Sequence, residues 1–254
     1  MGELVSVIMP SYNTAKFIGE SICSVLAQTY ANWELIIVDD CSTDDTDRVV
    51  AAFADPRIRY LKNAKNSGAA VSRNYALREA KGRWIAFLDS DDLWLPEKLE
   101  KQVAFMEENG YRFSYTNHGS IDEASCSLNI HTTGPRRITN GGMILYCWPG
   151  CLTVMYDAHG VGTVQIADIK KNNDYAMWLE VSPKADCYLL DEELALYRKR
   201  SGSISNHGYM KLIRWHYKLF REARRMGPVR SLFHTGCNLA GGVFKKLVYV
   251  KKSK

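Results

Sequence analysis

Asp89-Ser90-Asp91-Asp92 is a dense acidic run in a chain of 254 residues. It closes an apolar segment, Arg83 to Leu88, and two earlier apolar segments also end in polar clusters. Residues 4–9 lead into Pro10-Ser11-Tyr12-Asn13, and Glu34 to Val38 leads into Asp39-Asp40. Short apolar runs bounded by turn residues read as buried strands, and an open α/β sheet binds its ligands outside the carboxyl ends of such strands. Five carboxylates would then share one rim. Like charges so close repel unless a cation or a donor-rich ligand sits among them. Any one of these clusters alone reads as a helix cap or a solvated loop, whereas three at strand ends point to a binding site.

The elements between these clusters alternate. A helix is predicted from Thr14 to about Tyr30 with Phe17, Ile18, Ile22, Val25 and Leu26 on one face, and a second opens with Ser42 or Thr43 as its N-cap. Ile58 to Leu61 is a short strand, and Ala69 to Lys81 a helix that Gly82 closes. This alternation implies an α/β fold with a mostly parallel sheet flanked by helices. A helix from Pro96 to about Asn109, stopped by Gly110, follows. Further on the pattern weakens: strands are predicted at Arg112 to Thr116, Leu152 to Tyr156, Cys187 to Leu190 and Leu194 to Tyr197, and helices at Asp174 to Val181 and Met210 to Met226. No repeat or Gly, Pro or Ser-rich linker divides the chain, so one domain to residue 206 and a basic amphipathic helical extension over 207–254 are expected.

The strings SVIMPSYN, QTYANWELIIVDDCSTDDT, NSGAAVSRNYALREAKGRWIAFLDSDD and NNDYAMWL, in that order, resemble those of family 2 glycosyltransferases with the Rossmann-like GT-A fold. The likeness covers residues 4–206 and implies an inverting, metal-assisted hexosyltransferase that uses a nucleotide sugar, most often a UDP-sugar. It implies that Pro10 to Asn13 form the first strand-end loop, with Tyr12 stacking on the base and Asp40 accepting from a base N–H such as uracil offers. Asn66 and Arg73 are further donor contacts, with Asp39 or Asp40 as an alternative partner for Arg73. Asp89, Ser90 and Asp91 stand as the DxD motif, whose hard oxygens suit Mn²⁺ or Mg²⁺ bridging the diphosphate; Asp91 is the expected direct ligand, and Asp92 is either another or a turn cap. Asp174 stands where such enzymes carry the catalytic base, and a helix N-cap is its other reading. Asn173 before it departs from the usual acidic pair, and Arg200 departs from a position that often holds His. Arg198 or Arg200 would clamp the diphosphate. On the acceptor side, Trp148 and Trp178 suit either a sugar face or the core.

Composition agrees with a folded globular chain: 46% of residues are hydrophobic and 24% charged, which excludes collagen-like, low-complexity and disordered chains. No apolar run approaches the roughly 18 residues of a membrane span. The chain opens on a strand without a signal-peptide pattern, so a cytoplasmic location is expected. Seven cysteines lie scattered without a CxxC pair, so most are expected to be small core residues, with no disulfide framework or zinc site. Charge is lopsided, −6 over residues 1–209 and +11 over residues 210–254. The tail mixes Leu212, Ile213, Trp215, Leu219 and Phe220 with Lys and Arg, and later Val243, Phe244 and Leu247 with lysines. Such segments suit the surface of an anionic membrane, or pack an apolar stripe on the main domain. The expected location is thus peripheral, on the inner face of the cell membrane, with a glycan or polyprenyl-linked acceptor as the second substrate. An inactive GT-A scaffold and a basic nucleic-acid-binding protein are the rival readings. The intact DSDD run and Asp174 weigh against the first, and no nucleic-acid-binding signature supports specific binding by the second.

Overall fold

The structure, a computed structural model, describes residues 2–169, 171–200 and 209–253. Strands β1 (Val5–Ser11), β2 (Trp33–Asp39), β3 (Ile58–Lys62) and β4 (Trp84–Phe87) pair in parallel in the order β4-β1-β2-β3. Helices α1 (Ile18–Leu26), α2 (Thr46–Ala51) and α3 (Ala69–Glu79) connect them. Every residue of β1 and β2 is buried, as a central sheet covered on both faces requires. Alternation along β1 sends Ile8 into a layer with Ile36, Ile85, Phe87 and Trp178. Val7 and Met9 go to the opposite layer, with Ile18, Ile22, Leu99 and Val103.

Past Phe87 the sheet becomes mixed. β5 (Leu93–Trp94) precedes α4 (Lys98–Asn109), which ends on Gly110 in the left-handed conformation at φ 66°. Then come β6 (Phe113–Ile121), β7 (Ser127–Thr132), β8 (Arg137–Ile138) and α5 (Asn140–Leu145). β9 (Met155–Asp157), α6 (Ala158–Val161), α7 (Asn173–Val181) and β10 (Cys187–Arg198) complete this part. β9 lies antiparallel between β4 and β6, and β10 runs parallel to β6. Among the described residues α8 (Tyr209–Lys218) continues as a π-helical turn over Leu219–Ala223, then α9 (Pro228–Val248) and β11 (Val250–Lys252) follow.

Several expectations are corrected. The helix placed over residues 14–30 covers only Ile18–Leu26, because Thr14 turns back to hydrogen-bond Ser11. Neither Ser42 nor Thr43 caps α2, which begins after Asp45; both bond to the loop after β1 instead. The two strands expected within residues 187–197 are one, with bulges around Glu193 where three acidic residues break the apolar pattern. Only Cys151 and Cys187 are buried, and Cys23 and Cys126 are exposed; all seven cysteines are free. The boundary at residue 206 lies outside the described residues. Beyond it the chain shares the fold: β11 pairs antiparallel with β7, while Leu219 and Phe220 are fully buried in the layer that holds Trp178.

Candidate active site

The loops after β1, β2 and β4 meet at one rim, and their side chains bind one another closely. Pro10 is buried within β1 opposite Val38, so it shapes the exit of the strand. Tyr12 stands 48% exposed, its ring free to stack on a planar group. Asn13, at φ 51°, accepts from the Thr43 N–H at 2.7 Å and donates its own N–H to Ser42 Oγ at 2.8 Å, joining the first two loops. Asp40 faces inward. Its carboxylate accepts from Asn63 Nδ2 at 2.7 Å, the Ser67 N–H at 2.8 Å and the Gly68 N–H at 2.6 Å. Gly68 has φ 90°, a conformation that brings the chain into α3. These oxygens hold the head of α3, where two N–H groups need acceptors. Asn66 assists by donating to the Asp40 carbonyl at 3.1 Å.

The DxD carboxylates each face an arginine. Arg73, buried on α3, pairs with Asp89 and not with Asp39 or Asp40. Its other nitrogen donates to Asn173 Oδ1 at 2.5 Å. Burial opposes the charge of Arg73, but Asp89 and Asp174 outweigh it and hold the guanidinium protonated. Arg200 Nε lies 2.8 Å from Asp91 Oδ2. Burial, then Asp89, pushes the Asp91 carboxyl upward against the pull of Arg200. Ser90 is buried between the two carboxylates.

Asp92 has a different partner. It is buried and accepts the Arg198 N–H at 2.8 Å, and burial raises its carboxyl well above the usual range. Through this bond Asp92 braces the loop against the end of β10. Arg198 does the same: its fully buried guanidinium donates to the Asp91 carbonyl at 2.7 Å, to Ser125 Oγ at 2.8 Å and to Glu20 at 2.9 Å. Of the two candidate clamps, only Arg200 remains at the rim. Among the described residues no three His, Cys, Asp or Glu side chains gather into a metal-holding group. A hard cation that keeps water and phosphate oxygens needs only one or two carboxylates, and Asp91, with Asp89 beside it, fits that need.

Asp174 sits in the first turn of α7, with Asn172 at the N-cap position in the left-handed conformation at φ 57°. Burial raises its carboxyl, while Arg73 and the N–H groups of the helix start lower it. Arg73 thus joins the DxD run to the residue beside Asp174. Sequence reasoning missed this bridge, whose one signal is the arginine of SRNYAL facing the acidic rim. Trp178 is fully buried against Phe87 and Phe113 and is core, whereas Trp148 is half-buried among Tyr146, Phe244 and Tyr249.

With that geometry in place, residues 6–143 match the family model for glycosyl transferase family 2. The chain belongs to this family. It is 41% identical over 226 residues to the putative teichuronic acid biosynthesis glycosyltransferase TuaG of Bacillus subtilis, covering 88% of this chain and 89% of the relative. It is equally 41% identical over 213 residues to WfgD of Escherichia coli, a UDP-Glc:α-D-GlcNAc-diphosphoundecaprenol β-1,3-glucosyltransferase, covering 83% of each. In fold it resembles S. aureus TarS residues 1–349 in complex with UDP-GlcNAc, with a TM-score of 0.73 at 22% identity, over 96% of this chain and 72% of that one. It also resembles the mannosyltransferase PcManGT of Pyrobaculum calidifontis in complex with GDP-Man and Mn²⁺, with a TM-score of 0.67 at 16% identity, over 93% of this chain and 70% of that one. The protein is a family 2 glycosyltransferase with the GT-A fold.

Proposed function

We propose that this glycosyltransferase moves a hexose from a UDP-sugar, with inversion, onto a saccharide carried by a polyprenyl diphosphate during synthesis of a bacterial surface polysaccharide. The observation that carries the reading is the buried Arg73, which pairs with Asp89 and bonds to Asn173, so that a diphosphate-side motif and a candidate base are fixed together. WfgD and TuaG, named for a UDP-glucose donor with a lipid-linked acceptor and for teichuronic acid synthesis, support the substrate classes. The base of the nucleotide stacks on Tyr12, and Arg200 is the side chain placed to meet the diphosphate. Mn²⁺ or Mg²⁺ held by Asp91 and Asp89 would supply positive charge to the diphosphate as it leaves.

Asp174 takes the proton of an acceptor hydroxyl as that oxygen bonds to the anomeric carbon and the bond to the diphosphate breaks, its electrons leaving with the nucleotide. Asn173 offers Arg73 an amide oxygen where the acid of the usual pair is missing, so the bridge survives the substitution. Such a reaction belongs at the inner face of the cell membrane, where donor and lipid-linked acceptor meet. No helix among the described residues is long and apolar enough to cross a membrane.

The test is Asp174→Asn with a UDP-glucose donor and a lipid-diphosphate-linked GlcNAc acceptor. Loss of the base lowers kcat by about 100- to 10,000-fold with donor binding unchanged. The N-cap of α7 is Asn172, not Asp174 as its other reading had it; a purely structural Asp174 would contribute only first-turn charge to the helix, and its Asn variant would stay folded and active. Near wild-type transfer by a variant with a normal melt overturns the assignment. Because burial raises Asp174, the wild-type acid limb of kcat lies higher than an exposed aspartate would set it, and activity falls as pH drops through it.

A further inference from the structure

Helix α9 is built inside out. Its inward stripe, at successive spacings of four and three, is Ser231, Thr235, Asn238, Gly242, Lys245 and Tyr249; the first three are buried and the others half-buried. Polar contacts hold this stripe down. Asn238 Nδ2 donates to the Tyr175 hydroxyl at 3.1 Å and to the Ile144 carbonyl at 3.3 Å, and Lys245 Nζ donates to the Trp148 carbonyl at 2.6 Å. The opposite stripe, Val229, Phe233, Gly236, Ala240, Val243 and Leu247, is apolar throughout and exposed throughout. Val229 is 82% exposed, Phe233 64% and Leu247 79%, with Leu232 and Phe244 beside them at 64% and 50%. Water penalises such a stripe, and contiguous apolar surface of this kind marks a docking site.

We propose that the outward face of α9 lies in the plane of an anionic phospholipid bilayer and docks the enzyme there. Charge selects this occupant. Arg230, Lys246, Lys251 and Lys252 are exposed at the ends of the apolar stripe, and residues 210–254 hold twelve basic side chains against one acid, Glu222. An apolar stripe edged with cations matches acyl chains beneath anionic headgroups. The inward stripe holds Tyr175, next to Asp174 on α7, so the docked helix packs directly against the element that carries the proposed base. This goes beyond the proposed transfer reaction and does not depend on which sugar is moved.

Truncation is unsuitable as a test, because Leu219, Phe220 and β11 belong to the fold. Full-length protein is instead floated with vesicles of phosphatidylglycerol and phosphatidylcholine, and with phosphatidylcholine alone. The wild type binds the anionic vesicles more tightly, and salt weakens that binding by screening the cations. Phe233→Glu with Leu247→Glu lowers vesicle affinity by at least about tenfold, with the melting temperature and transfer to a water-soluble acceptor unchanged. Phe233→Ser with Leu247→Ser, which adds no charge, loses affinity several-fold and serves if the first variant melts early. Lys246→Gln with Lys252→Gln removes most of the preference for anionic lipid. Equal flotation of wild type and the two Phe233/Leu247 double variants overturns the proposal, as does absence of wild-type binding. A wild-type dimer in sedimentation that Phe233→Glu dissociates also overturns it, since a second copy then covers the face.

Discussion

Helices α1 and α9 share a repeat and differ in its phase. α1 turns Ile18, Ile22 and Val25 inward onto the sheet, with Ser21 the polar exception that donates to the Asp92 carbonyl at 2.8 Å. α9 turns Ser231, Thr235 and Asn238 inward and sends its large apolar side chains out. The period of an apolar pattern shows that a helix has two faces; what lies against each face decides which one is the core. Water lies outside α1, whereas α9 has the composition of a helix between protein and a second apolar medium.

The largest effect is expected in the half that α1 helps to build. Asp91→Ala removes the carboxylate best placed for a divalent cation and leaves Arg200 without its partner at the rim. Transfer should fall by about a thousandfold or more, in line with the several kcal/mol that a metal contributes at a leaving group. Full turnover in a chelator, or by Asp91→Ala, would remove the cation from the mechanism. The matching substitution on the far side, Phe233→Ala, should leave transfer to a soluble acceptor unchanged.

Stability separates the two helices next. Ile22 is fully buried, so Ile22→Ala should cost about 2–5 kcal/mol in denaturant unfolding. Phe233→Ala, at a position 64% exposed, should stay within about 0.5 kcal/mol. If Phe233→Ala destabilised the free protein as strongly as Ile22→Ala, the outward stripe would be covered in solution and the contrast between the helices would collapse.

The same contrast explains what the sequence disclosed. The parallel strands and the polar clusters at their ends were legible because each strand is a short run of Val, Ile and Leu closed by turn residues. The stop at Gly110 was legible for its left-handed conformation. Strand β7 was not, since its SLNIHT segment, paired with β6 on one side and the short β11 on the other, alternates exposed and half-buried residues up to a buried Thr132. Helix α9 was legible only as an amphipathic helical extension without bounds, because glycines and small polar residues fill its inward face. At the rim, chain position identified Asp89, Asp91 and Asp174 as candidates, but not which way each carboxylate turns. Asp40 and Asp92 face inward because backbone N–H groups at the head of α3 and at Arg198 need acceptors, a demand that exists only once the loops have folded.

Lys98 gives the finest comparison, since it is a polar group inside the half that otherwise turns apolar residues inward. It is fully buried on α4 beside Leu99, with its amine 2.6 Å from Gln102 Oε1 and 4.4 Å from the centre of the Trp94 ring. No carboxylate among the described residues offsets its burial, which pushes the amine down to about 7. In the unfolded chain the same amine holds its proton to about pH 10.4. Between these limits the unfolded state binds the extra proton, so wild-type stability rises with pH, by up to about 1.4 kcal/mol per unit. Lys98→Met abolishes that slope. It orphans Gln102 Oε1 at every pH, a cost of about 1–3 kcal/mol, and relieves the buried charge only below neutrality. The variant should therefore compare best with wild type near pH 6 and worst near pH 9, read from denaturant unfolding at the two values. Parallel pH curves for the two proteins would mean that the lysine keeps its proton in the fold, with water or an unassigned partner reaching it there.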